Sequence, residues 1–372
     1  MTPLIRKLLG MNWVIVGLSF GLCVLGVVAV YSASAFRDDT YWHKQTIFVG
    51  LSMVVFICTS MIDYRWVKIV ALPMYLLSIF LIILTYTKKF GEEHGGAQCW
   101  LTIPRVGTFQ PSQMAVIAGI LTVGLFLSQF RKLHPMMKLV FTAAIVGGPM
   151  LLILKQPDVG MTLVWVPVIL SMLMLSGLPK RYLISLLLMA SSIVPIVIYF
   201  VLKPYQYKRI LAFIDPDIDR TGSAWAINQS LIAIGSGGFS GKGFMAAGTR
   251  VEEGFIPETT VHTDYIFTAI SEQTGFVGGV ILIGLFSVLI LACLLTAHQA
   301  ADELGLLITV GFATQIFFHV YQNIGMTISL MPITGLPLPL ISYGGTFLLM
   351  VMFGLGLVNS VWVHRKALPA NH

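Results

Sequence analysis

The sequence predicts an all-α polytopic membrane protein of about ten transmembrane helices, and three observations predict it. Hydrophobic residues fill 56% of the 372 positions and charged residues only 10%, against roughly 25% charged in an average soluble domain. Ten apolar runs approach or exceed the roughly 20 residues that cross a bilayer. Lysine and arginine are denser on one side of those runs than on the other. A soluble domain could not hide that much apolar surface, which excludes soluble enzymes and binding modules. The net charge of +7 suits cytoplasmic loops facing anionic lipid. No Lys/Arg block accompanies it, so no nucleic-acid partner is expected.

The first run, 13–33, follows Arg6 and Lys7 and could mimic a signal peptide. It is too long for a leader's apolar region and lacks a small-residue cleavage site, so it reads as the first span. The others are 45–62, 67–87, 112–130, 138–154, 159–178, 181–202, 265–296, 304–330 and 344–363. The eighth and ninth exceed a bilayer's need and are expected to tilt or continue into water.

With the N-terminus inside, the inner segments carry eleven basic residues: Arg6, Lys7, Arg65, Lys68, Arg131, Lys132, Lys138, Lys180, Arg181, Arg365 and Lys366. The short outer loops carry six: Arg37, Lys44, Lys88, Lys89, Arg105 and Lys155. Both termini are therefore expected in the cytoplasm. Residues 1–372 are expected to form one transmembrane domain, with 203–264 as a large extracytoplasmic loop between helices seven and eight. The outer segments 88–111, 203–264 and 331–343 are long and rich in polar residues, Gly and Pro, so the working face is expected outside. No internal repeat is visible, and the inverted-repeat signature of many transporters is missing. The cysteines Cys23, Cys58, Cys99 and Cys293 show neither metal spacing nor a disulfide framework.

Asp264, in HTDYIF at 262–267, stands where the eighth run begins. Helical spacing places Thr268, Ser271, Glu272 and Gly275 on its face. The ninth run carries a second polar stripe of Gln315, His319, Gln322 and Asn323. Such stripes face a cavity or another helix, and plain helix-to-helix hydrogen bonding is the alternative. Asp158, in QPDVG at 156–160, can cap the sixth span or work in a site. Glu258 can be a solvated loop charge.

The stretch IGSGGFSGKGF at 234–244 fails the phosphate-loop pattern, because Ser240 stands where Gly is needed and Gly243 where Ser or Thr is needed. It reads either as a backbone that approaches a phosphate or as a flexible turn. The segment PITGLPLPLISYGG at 332–345 is too rich in Pro and Gly for a helix. It is expected to be partly re-entrant and packed in protein near the long loop.

Together QPDVG, NQS at 228–230, AIGSGG and GKG within 233–243, Pro257-Glu258 with HTDYIF, NIGM at 323–326 and PITGLPLPLISYGG resemble the SEDS family (shape, elongation, division and sporulation). The resemblance runs from Tyr31 to the end, and the short tails look like its RodA-like elongation branch. It implies a ten-helix peptidoglycan glycosyltransferase in the bacterial cytoplasmic membrane. Such a protein polymerises lipid II on the outer side, in elongation and shape maintenance. A class B penicillin-binding protein and the elongation machinery are the implied partners. Asp264 matches the family's essential carboxylate and is the expected general base. Trp100, Ser112, Gln156, Asp158, Arg209, Gln229, Lys242, Glu258, His262, Thr263, Glu272 and Ser342 are the expected substrate-binding residues. Arg209 and Lys242 are the candidates to face the leaving diphosphate, with Lys44 behind them, and a divalent cation (Mg²⁺ or Mn²⁺) is a second source of positive charge. No organic cofactor is implied.

The chain departs from the family pattern at several positions. Cys99 stands where Arg is common before Trp, Gln113 and Val116 replace a Glu/Lys pair, Gln273 replaces a second Glu, and Thr259-Thr260-Val261 lengthens the approach to His262. A charge pair lost together leaves no unpaired buried charge, but the cavity's electrostatics change. Two other readings stay open: a transporter (flippase) of lipid-linked precursor, and a catalytically weak scaffold that activates its penicillin-binding partner.

Overall fold

A computed structural model describes residues 3–34, 40–87, 89–94, 97–103, 107–200, 202–215 and 222–365. Of the basic residues counted above, Arg37, Lys88, Arg105 and Lys366 lie outside the described residues.

A short α1 (Pro3–Leu9) leads into helices at all ten expected places: α2 (Trp13–Ser34), α3 (Thr40–Met61), α4 (Val67–Thr85), α5 (Pro111–Gln129), α6 (Pro135–Lys155), α7 (Val159–Leu175), α8 (Lys180–Phe200), α12 (Ile266–His298), α13 (Glu303–Thr327) and α14 (Gly345–Val363). Among the described residues eight are long and apolar enough to cross a membrane, α7 and α8 being the other two. Leu72 and Ile47 on the outer helices turn outward, as lipid-facing positions do. The inner helices α5 and α13 are buried on most sides. Close approach there needs small residues: a side chain on Gly119 would collide with the Trp165 ring of α7.

Two expected loops hold more structure than the sequence suggested. Residues 88–111 contain a three-stranded antiparallel sheet, β1 (Gly91–His94), β2 (Ala97–Ile103) and β3 (Gly107–Phe109), in the order β1-β2-β3. Residues 203–264 contain α9 (Pro204–Ile214), α10 (Ser223–Ser236) and the single turn α11 (Glu258–Val261). Pro204 opens α9 at a position where a missing N–H costs nothing.

The reading of 234–244 as a phosphate-approaching backbone or a flexible turn is corrected. α12 is interrupted at Gly275, where φ is 68° and ψ −164°, and the glycine-rich loop inserts into the break. Lys242 N and Gly243 N donate to Glu272 O and Gln273 O at 3.1 and 3.0 Å. Phe276 N and Val277 N donate to Gly238 O and Phe239 O at 2.9 and 3.2 Å. The loop thus replaces bonds that a continuous helix would make, and its amides at 242 and 243 are committed. Gly275 has no room for a Cβ against the backbone of Gly241 and Phe239, and Gly241 none against that of Gln273 and Thr274.

At the far end of the bundle, Asn359 Oδ1 accepts from Asn12 N at 2.9 Å and Asn359 Nδ2 donates to Ser60 Oγ at 3.3 Å, all buried. Tyr64, four residues after Ser60, donates through its OH to Asp302 Oδ1 at 2.9 Å, at the cap of α13. These polar groups join α3, α14 and the starts of α2 and α13.

Candidate functional site

The site is built on the segment between α11 and α12. His262 is buried and stacks on Tyr41 with ring centroids 4.2 Å apart. Thr263 and Asp264 are partly buried. Segment 328–344 has no regular structure and is packed inside the protein, with Leu336, Leu338, Leu340 and Ile341 buried. That agrees with the expectation of irregular backbone buried in protein. The ninth-run stripe supports it: Gln322 Nε2 donates to Pro332 O at 2.9 Å, Asn323 Nδ2 to Leu336 O at 2.8 Å, and His319 Nδ1 lies 3.3 Å from Pro337 O. These bonds run from α13 to the irregular segment, where the alternative reading expected a neighbouring helix.

Asp264 Oδ2 faces Gly335, with 3.4 Å to the position a Cβ there would take. Burial pushes the Asp264 carboxyl up to about 6, against the charge of Arg209 and a hydrogen bond from Thr263, which both pull it down. Arg209 comes from α9, where it lies 5.5 Å above the Tyr205 ring one turn earlier. α9 docks on the QPDVG turn: Gln206 Nε2 donates to Pro157 O at 2.7 Å and Tyr205 OH to the same oxygen at 3.4 Å.

Asp158 caps α7, its Oδ1 accepting from Met161 N at 3.0 Å. Its Oδ2 accepts from Gln110 Nε2 at 2.9 Å, and Gln113 Nε2 donates to Gln110 Oε1 at 2.8 Å. Burial raises the Asp158 carboxyl to about 6, opposed by the bonds from Met161 and Gln110. The Gln113 that departs from the family pattern is thus the outer end of a neutral relay that ends on Asp158. Cys99 Sγ lies 3.8 Å from Gln110 Nε2. Its neighbour Trp100 is half-buried in β2, where it pairs with Glu92 of β1. Gln156 donates to Thr85 Oγ1, and Ser112 is buried with no partner for its hydroxyl among the described residues.

A second group gathers on α12, one to two turns beyond Asp264. Glu272, with no exposed surface, accepts from Lys242 Nζ at 2.7 Å, Arg250 N at 2.7 Å, Val251 N at 3.3 Å and Ser236 Oγ at 3.3 Å. Arg250 Nη1 donates to Gln229 Oε1 at 2.6 Å. Thr268 meets Ser230 at 2.6 Å. The stripe from Thr268 to Gly275 therefore faces α10 and the glycine-rich loop, whereas Asp264 faces Gly335. Lys242 and Glu272, expected at substrate, are paired with each other, because a carboxylate that deep needs a cation and amide donors. Among the described residues, Arg209 is the cation whose charge acts on Asp264. Ser342, also expected at substrate, is buried and bonded to protein on both sides: Leu338 N donates to its Oγ at 2.8 Å, and the Oγ donates to Thr263 O at 2.5 Å. The side chain of Glu258 lies outside the described residues.

Sequence reasoning missed Gln110 and Arg250. Gln110 had one signal, its place just before Pro111 at a helix start. Arg250 had none, since a loop has no periodicity to expose a partner. Among the described residues no three His, Cys, Asp or Glu side chains come together as metal ligands. The donor set does not fit a protein cage for a divalent cation.

A family profile described as cell cycle protein (FtsW, RodA, SpoVE) matches residues 12–367. The peptidoglycan glycosyltransferase MrdB of Escherichia coli K12 is 34% identical over 351 residues, covering 93% of this chain and 92% of its own. The peptidoglycan glycosyltransferase RodA of Treponema pallidum is 30% identical over 433 aligned positions, covering 96% and 98%. A chain from a peptidoglycan synthase complex, solved to show how polymerization and crosslinking are coordinated, superimposes with a TM-score of 0.79 at 28% identity, over 95% of this chain and 97% of that one. The rod shape determining protein RodA of Thermus thermophilus gives 0.71 at 27% identity, over 96% and 98%.

Proposed function

The chain belongs to the FtsW/RodA/SpoVE family of cell cycle proteins and is a peptidoglycan glycosyltransferase of the elongation type, and we propose that Asp264 is its general base. The observation that carries this is the Asp264 carboxylate, facing Gly335 and lifted to about 6 by burial, under the field of Arg209. A base so poised is ionised at neutral pH yet basic enough to accept a proton in the transition state.

In the proposed reaction the 4-hydroxyl oxygen of the acceptor GlcNAc attacks the anomeric carbon of the donor MurNAc. Its proton passes to Asp264. The bond from that carbon to the diphosphate breaks, and the electron pair leaves with undecaprenyl diphosphate. The α-linked donor becomes a β-1,4 link, so one inverting displacement suffices and no enzyme nucleophile is required. Arg209 stabilises charge on the departing diphosphate. We infer lipid II as the substrate, a multi-pass orientation in the cytoplasmic membrane with Asp264 on the outer face, and residues 1–372 acting as one domain. The basic-residue asymmetry supports the orientation. A divalent cation, where used, arrives with the substrate's phosphates, since Mg²⁺ binds through one or two carboxylates plus phosphate oxygens. A class B penicillin-binding protein is the proposed partner, a reading supported by the similarity to a chain from a polymerising and crosslinking complex.

The test is polymerisation of lipid II by the purified protein with its penicillin-binding partner and Mg²⁺ or Mn²⁺. Glycan from the wild type and none from Asp264→Asn supports the base. Equal glycan from both sinks it. No glycan from either, with partner binding intact, makes the protein a scaffold.

A further inference from the structure

Three consecutive backbone carbonyls, those of His262, Thr263 and Asp264, are each taken by a donor from outside their own segment. Tyr343 N donates to His262 O at 2.9 Å. Ser342 Oγ donates to Thr263 O at 2.5 Å. Asn323 Nδ2 donates to Asp264 O at 2.9 Å. α12 does not use the last of these, because Thr268 N turns to Tyr265 O at 3.0 Å. A peptide group is planar, so fixing three successive carbonyls fixes the planes on either side of Asp264 and the direction in which its side chain leaves the backbone.

The donors are themselves held. Asn323 is fully buried, and its amide also donates to Leu336 O at 2.8 Å. Leu338 N donates to Ser342 Oγ at 2.8 Å. From α3, buried Gln45 donates through Nε2 to Ser342 O at 3.2 Å and accepts from Gly344 N at 3.4 Å. The clamp therefore joins α3, α13 and segment 328–344 behind the carboxylate. Gly335, with φ of +71°, leaves open the space in front of Oδ2.

We propose that Asn323 and Ser342 are positioning residues for the glycosyl transfer, acting on Asp264 through its backbone and touching no substrate. This rests on Asp264 as the base. It reassigns Ser342, which the sequence suggested at the substrate. Catalytic geometry held this tightly matters because a misplacement of about 1 Å can cost on the order of a hundredfold in rate.

The experiment compares wild type, Ser342→Ala, Asn323→Ala and Asp264→Asn, each purified as the full chain with its partner. Initial rates are taken across lipid II concentration and pH, and thermal unfolding is recorded alongside. The expected result for the two alanine variants is a kcat lower by roughly ten- to a hundredfold with KM within about twofold, and a displaced acid limb of the pH profile. A raised KM with kcat kept overturns the proposal, because the residues then touch substrate. A lowered Tm with wild-type kcat per folded molecule overturns it too, because the role is then only structural. Wild-type polymerisation by Asp264→Asn removes the base and this proposal together. An inactive Asp264→Asn beside wild-type kcat in both alanine variants removes the proposal alone.

Discussion

The ammonium of Lys242 lies 2.7 Å from Oε1 of Glu272, a carboxylate with no exposed surface. The same carboxylate takes the amides of Arg250 and Val251 and the hydroxyl of Ser236. One buried charge near the start of α12 thus gathers residues from 236 to 251 onto the helix that begins just after Asp264. Two of these partners are backbone amides, and this makes the two ends of the ion pair unequal.

Glu272→Ala is expected to destabilise by about 3–5 kcal/mol, the range for removing one partner of a buried pair. It strands Lys242 and two amides at once. Lys242→Met is expected to cost less, because Glu272 keeps its amide donors. Thermal unfolding of the detergent-purified variants measures both. Equal losses would mean that the amides contribute nothing.

Gly275→Ala is expected to destabilise by at least about 1–3 kcal/mol from backbone strain alone. The residue sits at φ 68°, and a Cβ there runs into the backbone of Gly241 and Phe239. Gly284, later in the same helix, has no atom near its absent Cβ, so Gly284→Ala is expected to be neutral or mildly stabilising. A Tm difference between these two variants checks the interlock, and none would remove it.

The pH profile of polymerisation is expected to have an acid limb near 6, with kcat/KM rising as pH rises through it. The sign follows from the role: a base must be deprotonated, and Asp264 loses its proton at about 6. Arg209 holds that carboxyl down, so Arg209→Gln is expected to move the limb to higher pH as well as to slow the reaction. Asp158 also titrates at about 6. A limb that vanishes in Asp158→Asn but persists when Arg209 is replaced would assign it to Asp158 instead.

At the far end of the bundle, Asn359→Ala is expected to cost about 1–3 kcal/mol, the penalty for leaving the buried Asn12 amide unpaired. Asn359 lies on the last turns of α14, remote along the helix from segment 328–344. Polymerisation per folded molecule is expected to be unchanged. A fall in kcat at unchanged Tm would contradict this.

The sequence by itself determined the ten helical places, because a bilayer demands long apolar runs and charges interrupt them. It singled out Asp264, since a carboxylate at the start of such a run is costly to keep, and it placed irregular buried backbone at 332–345 from Pro and Gly alone. It could not show that the glycine-rich loop enters α12, because the break at Gly275 depends on a partner more than thirty residues earlier in the chain. It read 203–264 as loop because α9 is only eleven residues long and is interrupted from α10 by polar sequence, with too few turns for a clear period. Only the tertiary structure decided that Lys242 belongs to Glu272 while Arg209 acts on Asp264. The two cations stand in one long loop and look alike in sequence. What separates them is burial: Glu272 has no water to solvate it and takes the nearest ammonium, whereas Asp264 keeps some exposure and has its backbone, instead of its carboxylate, held from behind by Asn323.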